Sequence, residues 1–234
     1  MHRPADLLKR AKRLYQTDGL KSLISRGSGF FIGLLFEYQR LRLWHYNVED
    51  VRLLNEAEVM PRIRDFTFKI VTTNEEADKL EADGFEFRSY NANARKALEN
   101  GAIAFCIFTG HELGNIGWLA LNPQAKNALR QLPYKVDFSS GEACTIDVWT
   151  NPRYRRMGLR SYAHLRRCQF LLQNSVVTLI AAIDKGNTAS ETAAAKLGLR
   201  AYAEGHYLKI LWLRSWKEKP LPPQEQEVSA KHDV

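Results

Sequence analysis

Between Arg62 and Arg214 short apolar runs alternate with stretches of helical period. DFTFKIVTT reads as a strand, NEEADKLEADGF as a helix closed by Gly84, and NANARKALENG as a second helix closed by Gly101, since glycine enters the left-handed conformation of a helix end at little cost. AIAFCIFTG and LGNIGWLALN are apolar runs joined by GHELG, which predicts a hairpin. Residues 123–140 carry no clear period, and EACTIDVWT is again a strand. LRSYAHLRRCQFLLQ has Leu159, Tyr162, Ala163 and Leu171 at helical spacing, whereas VVTLIAAID is wholly apolar, as suits a strand covered on both faces. NTASETAAAKLG is a helix with Asn187 at its N-cap and Gly198 beyond its end, and YAEGHYLKILWLR supplies the last one or two strands. The order β-α-α-β-β-β-α-β-α-β predicts an α/β (α+β) fold, a mixed and mostly antiparallel sheet with helices on both faces.

Either side of this unit the pattern changes. Leu7, Leu8, Ala11, Leu14 and Tyr15 recur at helical spacing opposite Lys9, Arg10, Lys12 and Arg13. Residues 1–61 are therefore predicted to be a basic amphipathic helical extension, 62–216 the main domain, and the proline- and charge-rich 217–234 a disordered tail. GFFIGLLFEY is apolar but falls short of the roughly 20 residues that span a bilayer, and it lacks the position and cleavage site of a leader.

Charge sharpens that division. Residues 1–45 hold nine Lys and Arg against three Asp and Glu, most of the net charge of +8. Two readings of the segment stand side by side: packing against the main domain or a second copy in a homodimer, and lying on an anionic membrane surface. A nucleic-acid binder would carry its basic patch over the main domain and show a recognisable motif, so that class is disfavoured. Cys106, Cys144 and Cys168 are widely spaced and odd in number, and the histidines show no HExxH or HxxxH spacing. Reduced thiols, no metal and a cytoplasmic location, peripheral at the inner membrane face if the extension binds lipid, are expected.

The chemistry concentrates in TNPRYRRMGLRSYA, Thr150 to Ala163, between a strand and a helix. A helix N-terminus offers unpaired N–H groups and the positive end of the dipole. Gly158 would let an anion approach the backbone, and Arg155, Arg156 and Arg160 add donors suited to phosphate. A pyrophosphate cradle is predicted. The chain lacks a P-loop GKS or GKT and a GxGxxG, which excludes those two phosphate-binding turns.

With these residues in view, the span from Phe66 to Arg214 resembles the GNAT superfamily of N-acetyltransferases. Their acetyl-CoA signature is Gln/Arg-x-x-Gly-x-Gly/Ala, and Arg155-Arg156-Met157-Gly158-Leu159-Arg160 matches it except at the last position. The lead-in Asn151-Pro152-x-Tyr154 is similar too, as is a second block at Asn187, Ser190, Lys196, Leu197, Gly198 and Leu199. The resemblance implies acetyl-CoA as co-substrate. Backbone N–H groups from Met157 through Leu159 to Ser161 would hold its pyrophosphate. Val148 to Thr150 would pair with the pantetheine arm after splaying from the next strand, with Asn187 bonding the arm near the thioester and Ser190 beside it.

Two departures follow. Arg160 stands where the family has a small residue, so its side chain is expected to point outward or to clamp the 3′-phosphate. Ala194 stands where many members carry a tyrosine that protonates the leaving thiolate; Tyr202 and Tyr207 are the substitutes. For the base, strand alternation puts Glu142, Cys144, Ile146 and Val148 on one face and Asp147 on the other; the resemblance implies a carboxylate on this strand, so Glu142 and Asp147 are the candidates. The expected function is transfer of an acetyl group to an amine (a small molecule, a nucleotide amino sugar or a protein amine) by direct attack in a ternary complex. A non-catalytic acyl-CoA-binding module is the alternative.

Overall fold

The computed structural model describes residues 36–222. Eight strands form one sheet in the order β2-β3-β4-β5-β6-β1-β7-β8. They are β1 (Phe36–Asn47), β2 (Phe66–Val71), β3 (Ile103–Thr109), β4 (Glu112–Ala120), β5 (Glu142–Thr150), β6 (Thr178–Asp184), β7 (Arg200–Ile210) and β8 (Leu213–Pro220). Only β5 and β6 run parallel; every other neighbouring pair is antiparallel. The expected mixed, mostly antiparallel sheet is thus present, and β3 and β4 form the expected hairpin.

Helices cover both faces. α1 (Glu56–Val59), α2 (Asn74–Ala82), α3 (Ala94–Glu99), α4 (Pro123–Leu129), α5 (Leu159–Gln173) and α6 (Thr188–Lys196) follow in chain order. One apolar core joins Ala77 of α2, Leu98 of α3 and Leu129 of α4 to Cys106, Trp118 and Cys144 of the sheet. The opposite core joins Leu165 and Leu171 of α5 and Ala194 of α6 to Trp44, Phe105 and Leu179. Local chemistry starts these helices. Thr73 and Glu76 form a reciprocal capping box at α2, and Asn122 caps α4 with Pro123 in its first turn. That cap, with Ala125, Ala128 and Leu129 buried at helical spacing, makes a helix where 123–140 reads as irregular.

Two boundaries differ from the sequence expectation. Residues 36–47 are not part of a helical extension: they are β1, paired with β6 on one edge and β7 on the other. The alternation Arg40-Leu41-Arg42-Leu43 is a strand period, and it buries Leu41 and Leu43 in one core while Trp44 and Tyr46 enter the other. Residues 48–61 also belong to the domain, for Val48 and Val51 are core residues. At the other end, β8 runs to Pro220 and Leu221 is buried. Pro220 is accommodated because β8 is an edge strand, where a missing N–H costs no ladder bond. The amphipathic pattern from Leu7 to Tyr15 and the part of the predicted tail beyond residue 222 lie outside the described residues. Among the described residues, no helix is long and apolar enough to cross a membrane.

Candidate active site

The site is a fork between two strands. β5 and β6 pair only from Glu142↔Thr178 to Thr145↔Ala181. Beyond that, each strand keeps its outer partner: β5 stays on β4 as far as Thr150, and β6 stays on β1 as far as Asp184. The strands therefore diverge while remaining rigid, and backbone groups on their facing edges have no strand partner. This is the predicted splay, with β1 as an unforeseen wall.

A bulge opens the fork. Trp118 faces Ile146 and Ile116 faces Trp149. Gly117 of β4 thus stands against two residues, Asp147 and Val148. Asp147 takes φ +50°, a strained conformation for a residue with a Cβ. The extra residue breaks the alternation assumed from sequence. Val148 turns to the α5 side, where its Cγ2 lies 3.3 Å from a Cβ built on Gly117, while Trp149 packs in the opposite core against Tyr90. Asp147 is exposed, and its Oδ2 accepts from Asn91 Nδ2 at 2.9 Å. Asn115, fully buried, donates to the Trp149 carbonyl at 2.8 Å and the Thr150 hydroxyl at 2.9 Å, which pins the open half of β5 to β4.

The fork leads into a cleft of about 950 Å³ between the ends of α5 and α6. Val148, Thr150, Arg155, Arg156 and Gly158 line it, with Leu159, Arg160 and Ser161 from the first turn of α5 and Asn187 and Ser190 from α6. The structure thus brings together the sequence-predicted cradle residues except Met157, which is exposed and whose carbonyl accepts from Arg62 N–H at 2.9 Å. The lead-in is a brace: Asn151 donates to the Leu113 carbonyl at 3.2 Å and to Glu112 at 3.0 Å, and the Tyr154 hydroxyl donates to Glu112 at 2.7 Å. Although burial works against it, these bonds lower the Glu112 carboxyl below its ordinary range.

Gly158 has a packing reason beside the one expected. It sits at φ +82°, and a Cβ there would lie 3.3 Å from the Met60 carbonyl oxygen and 3.4 Å from Pro61 Cα. A side chain there would press on the chain's own backbone. As N-cap it brings no side chain to the N–H groups of the first turn of α5, and α5 is 15 residues long, enough for a developed dipole. Arg156 also takes a positive φ, +64°, so the turn is wound tightly with Arg155 and Arg156 on its exposed rim. Asn187 Oδ1 accepts from Ser190 N–H at 3.1 Å to cap α6, which leaves its amide hydrogens as the donors available to the cleft.

Arg160 does not point outward. It lines both the cleft and a second recess of about 190 Å³ beneath the fork, shared with Thr145, Val148, His164, Arg167 and Ala194. Burial lowers its pKa. His164 is 4% exposed, and burial, with Arg167 and Arg160 nearby, brings its pKa down to about 3, so the imidazole is neutral. Arg167, 3% exposed, is lowered by burial to about 10. On the far side, Arg130, Asp147 and Asp184 also line the recess. Arg130 donates to Gln39 at 2.8 Å and lies 3.6 Å from Asp184, tying β1 to β6 at the fork.

The remaining candidates stand apart. Glu142 lies three residues before the last paired position and accepts from the Asp137 N–H at 2.7 Å, a loop-fastening role. Tyr202 and Tyr207 are on β7, which β1 separates from β6; the inserted strand moves both away from the fork by about one 4.8 Å spacing. Burial raises the pKa of each, and neither lines the cleft or the recess. Cys144 is a core thiol, pushed up to about 12 by burial. Sequence reasoning missed Asn91, Arg130, His164, Arg167 and Asp184. Only Arg167 carried a signal, an arginine four residues from both Ala163 and Leu171 on the buried helix face. Among the described residues no group of three or more His, Cys, Asp or Glu could hold a metal ion.

No curated protein matches the chain. Among solved structures it is similar to a conserved protein of unknown function from Staphylococcus epidermidis (13% identity, TM-score 0.46, covering 77% of this chain and 65% of that one). It is similar also to a tandem GNAT protein from the clavulanic acid biosynthesis pathway (11%, 0.47, 80% and 55%). A GCN5-related N-acetyltransferase-like protein from Streptococcus suis is a third (13%, 0.44, 86% and 69%). The chain thus spans about 65% and 55% of the first two. The acetyltransferase (GNAT) domain profile matches residues 40–200, a span that begins in β1 and takes in the fork, the cradle turn and α6, and on that match the chain belongs to the GNAT acetyltransferase family.

Proposed function

We propose that the chain transfers an acyl group from acyl-CoA, acetyl-CoA being the reference donor, to an amine by direct attack in a ternary complex. The observation that carries this reading is the fork itself: two strands that part at Thr145↔Ala181 and lead to an uncapped helix N-terminus rimmed by Arg155 and Arg156. The residues fit CoA. N–H groups of Leu159 to Ser161 and the rim arginines suit its pyrophosphate, and the unpaired edge of β5 suits the amides of its pantetheine arm.

The chemistry then falls to groups at the fork. The acceptor approaches from the face of Asn91, Asp147, Arg130 and Asp184, opposite α5. Asp147, exposed at the bulge and oriented by Asn91, takes the proton of the ammonium directly or through water. The amine nitrogen forms the C–N bond as the C–S bond breaks, and a β5 backbone N–H near Val148 stabilises the oxygen on which charge develops. The thiolate leaves on its own account, since a free thiol with a pKa of about 8.5 needs no strong acid. Ala194, buried beside the recess, supplies none.

Calorimetric titration of acetyl-CoA, with CoA release measured over a panel of amines, tests the reading. Micromolar binding that Arg156→Glu weakens, with release stimulated by an amine, supports it. Binding without stimulated release by any amine returns the chain to an acyl-CoA-binding module. A folded wild type that binds no CoA overturns both.

A further inference from the structure

The recess beneath the fork holds a charge that nothing around it balances. Arg167 lies on the buried face of α5, 3% exposed. Its Nη1 donates to the Thr145 hydroxyl at 2.8 Å, and the guanidinium stacks 5.6 Å from the Phe105 ring centroid. Its Nε has no hydrogen-bond partner. Gly117 makes room for it: a Cβ there would lie 2.3 Å from Arg167 Nη2. The charged groups that bear on Arg167 are Cys168 and Arg160, with no carboxylate among them, and Arg160, which lines the same recess, is shifted by burial alone. Buried guanidinium groups are ordinarily paired, because removing the charge from water is costly. The neighbouring Arg160 makes this one less favourable still.

Size and position say what the missing partner is. The recess of about 190 Å³ is far larger than the roughly 10–15 Å³ that one water needs. It lies directly under the last paired residues of the fork, and Val148, Arg160, Asn187 and Ser190 line both it and the cleft. A thioester carried along β5 would therefore deliver its acyl group into it. The carboxylates at the far rim are engaged elsewhere, Asp184 with Arg130 and Asp147 with Asn91.

We infer that the recess is an acyl pocket for a donor whose acyl chain ends in a carboxylate, a dicarboxylic monothioester of about four carbons, with Arg167 as its anion-binding residue and Thr145 as the group that positions Arg167. The inference rests on the acyl-CoA reading. The pocket selects the donor, and the transfer chemistry is unchanged: the same C–S bond breaks and the same C–N bond forms.

The test is calorimetric titration of succinyl-CoA, acetyl-CoA and free CoA into the wild-type chain, Arg167→Met and Thr145→Val. Charge-assisted hydrogen bonds from a buried guanidinium predict that wild type binds succinyl-CoA about tenfold or more tighter than acetyl-CoA. Arg167→Met should abolish that preference while free CoA binds as before, and Thr145→Val should reduce it. Should Arg167→Met not fold, Thr145→Val and the wild-type ratio still decide. Equal or tighter binding of acetyl-CoA by wild type overturns the inference and leaves the acyl-CoA reading standing. A succinyl preference that survives both substitutions overturns the role of Arg167. Failure of wild type to bind any of the three overturns the acyl-CoA reading and this inference with it.

Discussion

The two halves of β5 are one continuous strand with opposite fates in the fold. From Glu142 to Thr145 the strand is paired with β6, at Cys144 and Thr145 with β4 as well, and Ala143 and Cys144 are fully buried in opposite cores. From Ile146 to Thr150 it keeps only β4, passes through the bulge at Asp147, and emerges half-buried along the cleft. The closed half is paired with β6 throughout and serves stability. The open half leaves backbone groups and a strained residue unspent, which suits binding and catalysis. A sheet is rigid where both edges are paired, so the open half can be held in place from one side and still present its other edge.

This comparison can be broken most severely at Asp147. Asp147→Asn should lower kcat by about 10²- to 10⁴-fold, the usual span for a general base. The loss should be least marked at high pH, where the amine deprotonates unaided, and acyl-CoA affinity should hold. Glu142→Gln, in the closed half, should leave kcat within about twofold. A pH–rate profile of the two variants separates them, and equal losses would dissolve the distinction between the halves. Next comes the closed half itself. Leu179 of β6 is fully buried opposite Ala143, so Leu179→Ala should cost about 2–5 kcal/mol in urea unfolding, with acyl-CoA affinity nearly unchanged when measured on the folded protein. Arg156→Glu, on the exposed rim, should do the reverse, weakening acyl-CoA by about tenfold or more through lost charge-assisted bonds with no change in urea midpoint. The smallest effect lies remote from both halves. Arg88 holds the Asp78 carboxyl below its ordinary range, chiefly by a direct hydrogen bond. A lowered carboxylate contributes stability above its unfolded pKa and loses it as pH falls through the folded value. Asp78 is half exposed, so wild type should exceed Asp78→Asn by under about 1 kcal/mol at neutral pH, and the two should converge below pH 3.8.

Much of the fold was legible because most elements carry local signals. The Asn187 cap and the Gly198 stop bound α6, and the switch of hydrophobic period between EACTIDVWT and LRSYAHLRRCQFLLQ locates the strand–helix turn. β1 was not legible. Its helix-like surroundings and basic charge obscured a two-residue alternation, and its insertion between β6 and β7 pairs residues more than 130 positions apart. That one misreading also displaced Tyr202 and Tyr207, because their distance from the fork depends on which strand lies between.

The sequence by itself determined the helix and strand types from β2 to β7 apart from α4, the basic turn before α5, and the absence of a side chain at Gly158. These are local matters, decided by period, caps and the backbone freedom of single residues. Tertiary structure alone decided that the bare face of Gly158 meets Met60 and Pro61, that a bulge puts Val148 and Asp147 on faces opposite to simple alternation, and that Arg167 is buried without a carboxylate acting on it. Each of those turns on which distant segment arrives alongside, and a register shift of one residue is enough to exchange the two faces of a strand.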